Sequence, residues 1–437
     1  MPRVGVNRKA AVTLAISLTS ARAGPRRPGI DARRKADRAP RAPRPGARVL
    51  ALLALVASGP GCGLFGPPPD VFVVTLDGAR IERFGAYGAA ESATPALDAF
   101  AADAASFTYA WSTSCAPVPA LASALTGRYP TAHGAATPDA RVPDSVVTLT
   151  ELLAERGYEA AAFRSGPAIP PASGVLRGYV THTVLDAAAL THAALDWLAT
   201  VPRGRAVHAL LAYGDVPARV WEGAPPAAVA AAEPGSSAVV AAADRYAASL
   251  RFVDEQVGRL LDGLRAAGRY DDALIIVAGT SGETLGEHRL AGHGLTLYEE
   301  ATRIPLLVRY PGGVSAGSVV ETPASLVDLL VVVADEVGVA PPPDLESVRI
   351  GERDVVFAEC ARDPAAIASF GPRVDRDLFA AIRWPWKMVV SDRDPPELYN
   401  LASPRREGRN EFGTARGVAA DLMRTVNRLQ MGLRPPG

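Results

Sequence analysis

The 437-residue chain has only three cysteines and four methionines, and aromatic residues make up 6% of it. Three cysteines cannot build a disulfide framework, so a folded state must rest on a hydrophobic core. Cys115 and Cys360 could pair in an oxidising compartment, but they are far apart in sequence and nothing places them together, so the plainer expectation is two isolated thiols. Charge of one sign is also missing, because 46 Lys and Arg balance 46 Asp and Glu. That balance lacks the basic footprint of a nucleic-acid-binding protein, so nucleic acid is not an expected partner. Long apolar runs are absent too, and none reaches the ~20 residues that span a bilayer as a helix. What remains is ample core material, with 48% of residues hydrophobic. Single cores stop growing near ~250–300 residues, so the length fits one large α/β domain or two smaller ones.

The charge is unevenly spread. Residues 1 to 48 carry thirteen Lys or Arg against Asp31 and Asp37 alone. Arg48 then precedes "VLALLALVASGPGCG", a basic flank, short apolar core and small-residue end that together read as an export signal. Cys62 stands where a bacterial lipoprotein carries its lipidated cysteine, although Gly59 and Pro60 depart from the usual lipobox. Lipidation of Cys62, cleavage nearby and retention as an anchor all remain open, as does an earlier signal in "RKAAVTLAISLTSARA". The expected location is outside the cytoplasm, in the periplasm or attached to the outer membrane, with the signal segment or a lipid as the membrane contact. "GLFGPPPD" reads as a tether.

From Asp70 onward, strand-like runs such as "VFVVTL", "EAAAF", "VHALLAY" and "ALIIVAG" alternate with Ala- and Leu-rich helical stretches. Alternation of this kind predicts an α/β fold whose mostly parallel sheet is covered on both faces. A long helix is expected around residues 240 to 267, with Leu250, Val253, Val257, Leu260, Leu261 and Leu264 facing the core. The Ala-, Pro- and Gly-rich stretch "EGAPPAAVAAAEPGSSAVVAAAD" reads as a surface insertion. A hairpin is expected in "LFAAIRWPWKMVVSD" and a closing amphipathic helix in "GVAADLMRTVNRLQM".

Four stretches carry more specific information. "VVTLDGARIERFGAYG" with "TPALDAFAADAASFTYAW" comes first, then "PALASALTGRYPTAHG", then "GETLGEHRLAGHGLTLYEEATRIPLLVRYPGG", then "WPWKMV" with "PELYNLASPRREGRN". In this order and spacing they resemble the sulfatase family of the alkaline-phosphatase superfamily, over most of residues 69 to 412. The resemblance implies an alkaline-phosphatase-like mixed, mostly parallel central sheet with helices on both faces, plus a small C-terminal α+β subdomain. The implied layout is a basic extension (1–48), a signal- or lipoprotein-like segment and tether (49–68), a sulfatase-like α/β domain (69–345) and a C-terminal subdomain (346–437).

It also implies a metal-dependent sulfuric ester hydrolase. In the family, two Asp from the first strand and an Asp with a neighbouring Asn or His from a later strand hold the metal, here Ca²⁺ or Mg²⁺ if any. The nucleophile is usually a cysteine oxidised to formylglycine in a C-x-P-x-R motif. Asp77 falls on the first metal position, but Gly78, Thr280 and Ser281 fall on the others, which leaves too little charge for a hard divalent cation. The nucleophile position falls on Pro117 and the following Arg or His position on Leu121. Cys115 lies two residues early; "CAPVP" has Pro119 where the maturation motif has Arg, so formylglycine is not expected. A two-residue slip brings Cys115, Ser114 or Thr113 into the site; the competing reading of Cys115 is a small buried thiol.

Asp215, in "LLAYGDVPARVW", matches an Asp near the substrate, with Pro217 where the family has a second histidine. Arg164 and Ser165 stand where many sulfatases have Lys-Trp-His. His293 falls on a Lys or His that touches sulfate; otherwise it is a surface histidine preceding a helix. Asp77 is thus the metal candidate, Cys115 and His293 are the catalytic candidates, and His293 and Asp215 the substrate contacts. Glu283, Glu287 and His288 in "GETLGEH", and His133, are expected to be structural. Three functions follow: an exported hydrolase of sulfate esters with an unorthodox site, a non-catalytic binding module of the cell envelope, or a phosphodiesterase or phosphotransferase of the same superfamily acting on a phosphate ester through an unmodified hydroxyl.

Overall fold

A computed structural model describes residues 68–137, 140–167 and 169–433. The basic extension, the signal-like segment and Cys62 lie outside the described residues. Among those described, no helix is long and apolar enough to cross a membrane.

An eight-stranded sheet forms the centre. Its strands in chain order are β1 (Val71–Leu76), β2 (Ala105–Phe107), β3 (Glu159–Ser165), β4 (Val180–Val184), β5 (Val207–Tyr213), β6 (Leu274–Gly279), β7 (Leu306–Arg309) and β8 (Val319–Val320). The spatial order is β8-β2-β7-β6-β1-β5-β3-β4. β1 pairs in parallel with both β5 and β6, and β3 in parallel with β5 and β4. β7 runs antiparallel to β6 and β2, so the sheet is mixed.

Every residue of β1 is buried, because both faces of the sheet are covered. Side chains alternate along a strand, which sends Val71 and Val73 to one core with Leu121, Leu125, Leu330 and Val333. Phe72, Val74 and Leu76 enter the other core with Leu190, Leu250, Val253, Val257 and Leu261. The first core lies under the helices Pro117–Thr126 (α1) and Leu329–Val337 (α4); the second lies under Ala187–Thr200 (α2) and Ser237–Ala266 (α3). The expected stripe on α3 is fully buried. The presumed insertion is more regular than its composition suggests. Pro226–Ala231 is helical, and α3 itself starts at Ser237 inside the Ala-rich stretch.

A second, antiparallel sheet contains β9 (Val356–Cys360), β10 (Leu378–Arg383), β11 (Trp386–Ser391) and β12 (Glu397–Asn400). The expected hairpin is β10–β11. Helix α5 (Arg416–Gly432) closes this layer by packing Leu422 and Val426 against Met388 and Leu398. A parallel bridge between Ser114 and Glu359 ties β9 to the loop that precedes α1.

Candidate functional site

Strand register assembles the site. Leu76 lies opposite Tyr213 on one side and Gly279 on the other, so the three central strands end level. Asp77, Gly214 and Thr280 are therefore brought to one edge, with the amide of Asp77 bound to Tyr213 O at 2.9 Å and that of Thr280 to Leu76 O at 3.1 Å. Arg164 pairs with Ala212 one strand further out and reaches the same edge.

Asp77 is only 3% exposed, and both of its carboxylate oxygens are engaged within the chain. Arg164 Nη2 donates to Oδ2 at 3.0 Å, and Thr280 Oγ1 donates to Oδ1 at 2.6 Å. Arg164 Nε binds Pro167 O at 2.5 Å, which fixes the guanidinium from the other side. Gly214 leaves the gap between them: a Cβ there would lie 2.5 Å from Ser165 O and 3.4 Å from Asp77 Oδ2.

A divalent cation does not fit these residues. Ca²⁺ and Mg²⁺ take charged oxygen ligands, and the one carboxylate at the family's metal position already faces a guanidinium. Ser281 Oγ and Thr113 Oγ1 are buried and have no hydrogen-bond partner among the described residues, but neutral hydroxyls add no charge. A second aspartate at position 78 is excluded by shape. Gly78 has φ +74°, and a Cβ there would lie 2.9 Å from the Pro217 ring and 3.3 Å from Glu283 Oε2. Pro217 and Gly78 are thus linked departures from the family pattern.

Cys115 does not meet its expectation. Its Sγ is bonded to Cys360, with the Cα atoms 5.3 Å apart, and the pair sits in an apolar cluster with Trp111 and Leu297. The two isolated thiols are a disulfide, and a disulfide sulfur carries no nucleophilic thiolate. The sequence did not show this because the closure depends on the Ser114–Glu359 bridge, a tertiary contact.

Asp215 is close by but is turned away from Asp77. Its Oδ1 accepts from Ala187 N at 2.9 Å, at the start of α2, and its Oδ2 accepts from Ser165 Oγ. Burial pushes its carboxyl above the usual range, against these two bonds. With a hydrogen bond on each oxygen, it joins β3, β5 and α2.

His293 is the accessible member. Its side chain is 33% exposed, and its Nδ1 lies 2.8 Å from Oε2 of the fully buried Glu283. Trp221 Nε1 donates to the other oxygen, Oε1, at 2.6 Å. Burial would lower the imidazole pKa, but the Glu283 charge and hydrogen bond, helped by Asp77 and opposed by Arg164, hold it above the ordinary value. The Gly294 amide binds Cys115 O at 2.8 Å, and Ser112 Oγ donates to Thr280 O at 2.6 Å. These two bonds fasten the loop 112–115 to the edge that carries His293 and Thr280.

Sequence reasoning missed two partners, Arg164 for Asp77 and Glu283 for His293. The local signal for Arg164 was a charged residue following the apolar run Ala160–Phe163 near the end of β3. Glu287, in the same loop as Glu283, is structural as expected. Burial opposes its ionisation, but Arg80 Nη1 at 2.8 Å and the Leu285 amide hold its pKa low. His133 is buried in hydrogen bonds to Ser123, Pro119 O and Ala135 N.

A family model described as Sulfatase matches residues 69–169 and 204–339. An N-acetylglucosamine-6-O-sulfatase of Bacteroides thetaiotaomicron is 35% identical over 178 residues, which are 39% of this chain and 32% of that protein. A choline-sulfatase of Rhizobium meliloti is 30% identical over 193 residues, 42% of this chain and 35% of that one. The matched part thus spans about a third of each of these relatives. Among solved structures, a putative sulfatase from Bacteroides thetaiotaomicron superposes with a TM-score of 0.70 at 17% identity, covering 83% of this chain and 92% of the other. A phosphonate monoester hydrolase of Agrobacterium radiobacter gives 0.67 at 21% identity, covering 83% and 95%. With its central mixed sheet, its second antiparallel sheet and a family match across more than half its length, the chain belongs to the sulfatase family.

Proposed function

We propose that this chain is a non-hydrolytic member of its family, an exported module that binds an anionic sulfate or phosphate ester at His293 without cleaving it. The observation that carries the reading is the internal pairing of Asp77 with Arg164 and Thr280. Hydrolysis of such an ester needs charge to offset the equatorial oxygens, an in-line nucleophile and an acid for the leaving oxygen. Here the carboxylate of the charge site is neutralised, the cysteine is in a disulfide, and Thr113, Ser114, Thr280 and Ser281 are at most 1% exposed. Losing one preorganised group costs roughly 10²–10³ in rate, and several are missing together.

His293 supports the binding half of the reading. Glu283 holds its ring through Nδ1 and favours the imidazolium, so Nε2–H is available to an anion. The names of the curated relatives, an N-acetylglucosamine-6-O-sulfatase and a choline-sulfatase, support the sulfate ester. Export, to the periplasm or to the outer membrane through Cys62, is supported by the Cys115–Cys360 disulfide, since such bonds persist in oxidising compartments. Titration of the full-length protein with an aryl sulfate and an aryl phosphate, followed by calorimetry, tests the reading. Binding that is lost in His293→Gln, with the ester recovered intact, is expected. Absence of binding to either ester would overturn it.

A further inference from the structure

We infer that Arg164 is the resident cation of this site: its guanidinium does beside Asp77 the charge-balancing that a divalent ion does in metal-bound relatives, so that the fold needs no metal. The inference deepens the preceding one and rests on the same site. Three independent features of the edge suit a guanidinium and oppose an ion. Arg164 is 5% exposed, held by Asp77 and by Pro167 O, and projects from a strand two places away in the sheet. Gly214 follows the strand that lies between them, and a Cβ there would lie 2.5 Å from Ser165 O and 3.4 Å from Asp77 Oδ2. Thr280 then contributes a hydroxyl donor to the other Asp77 oxygen; a carboxylate at that position would set two anions against one guanidinium. Finally, the left-handed Gly78 lies against Pro217 and has no room for a further acidic ligand. Among the described residues, no group of three His, Cys, Asp or Glu side chains is arranged to hold a metal ion.

A buried carboxylate left without its partner is strongly destabilising, so the ion pair has a thermal signature. The test compares full-length wild type with Arg164→Met and with the double variant Asp77→Asn/Arg164→Met. Bound metal is measured by elemental mass spectrometry, and melting is followed with EDTA, CaCl₂ or MgCl₂. Wild type should contain no stoichiometric divalent metal and should melt at the same temperature in all three. Arg164→Met should melt lower in all three, because a buried carboxylate has lost its partner and one carboxylate among neutral hydroxyls does not hold a hard divalent cation in its place. The double variant, with a neutral amide facing a thioether, should recover part of the loss and show no cation response. If Arg164→Met does not fold, the wild-type metal content and the double variant still decide the matter. One equivalent of bound metal in wild type, or a fall in its melting temperature with EDTA, would overturn the inference even if no ester is hydrolysed. Failure of ester binding would leave these measurements unchanged and would count against the binding reading alone.

Discussion

Removing the Cys115–Cys360 bond should weaken the whole fold rather than one loop, because the bond closes a very long chain segment. The two residues are 245 apart in sequence. In the chain-entropy description, closing a loop of that length removes about 18–19 cal/mol/K from the unfolded state, a ceiling of about 5.5 kcal/mol at 25 °C, against a usual cost of roughly 2–5 kcal/mol. With ~2.1 cal/mol/K of unfolding entropy per residue, a folded body of about 360 residues loses roughly 1–2 °C of Tm per kcal/mol. A fall of about 3–7 °C is therefore expected for Cys115→Ala/Cys360→Ala by differential scanning calorimetry. Wild type in reducing agent should approach the double variant, and the double variant itself should not respond to reductant. Peptide mapping after alkylation of unreduced, denatured protein supplies the direct check. Recovery of Cys115 and Cys360 as alkylated thiols, or a Tm indifferent to reductant, would refute the reasoning and return Cys115 to the list of candidate nucleophiles.

Two titrating groups give further tests. Burial pushes the Glu359 carboxyl up to about 7, against the bonds it accepts from Thr131 N and Oγ1. The folded state then holds a proton that the unfolded state has released, so this group's contribution is fully present below pH ~4.5 and is lost as pH rises through ~7. Glu359→Gln should flatten that decline, by at most on the order of 3 kcal/mol at pH 8, when denaturant midpoints are compared across pH; identical wild-type and variant profiles would remove the group from the account. For His293, the raised pKa means that its pairing with Glu283 stabilises the fold below the unfolded imidazole value and stops doing so as pH climbs through the folded one. Glu283→Gln should lower the His293 pKa read by NMR of the imidazole protons, and an unchanged titration would show that Glu283 does not hold the ring.

Much of the fold was legible because it follows from periodicity. The run "VFVVTL" is apolar at every position but Thr75, as expected of a strand covered on both faces, and the α3 stripe repeats at helical spacing. Asp77 was legible for the same reason, since a buried strand has to end at the sheet's edge. The partners of the site were not legible, because they depend on register and on gaps. Arg164 reaches Asp77 across the intervening β5, whose last residue, Tyr213, is followed by Gly214. Asp215 kept its place in the motif while its oxygens were taken by Ser165 and Ala187, a change no local pattern reveals. Glu283 was expected to be structural, and in the fold it pairs with His293, ten residues later in sequence.

The central claim is that this edge of the sheet has exchanged hydrolysis for an internal ion pair. Steady-state hydrolysis of an aryl sulfate, an aryl phosphate and an aryl phosphonate by the purified protein, with saturating Ca²⁺, Mg²⁺ or Mn²⁺, tests it most directly. Rates equal to the protein-free reaction, and unchanged in Asp77→Ala, are predicted. Turnover of any of the three esters that disappears in Asp77→Ala would contradict the claim and make Asp77 a working member of an active site.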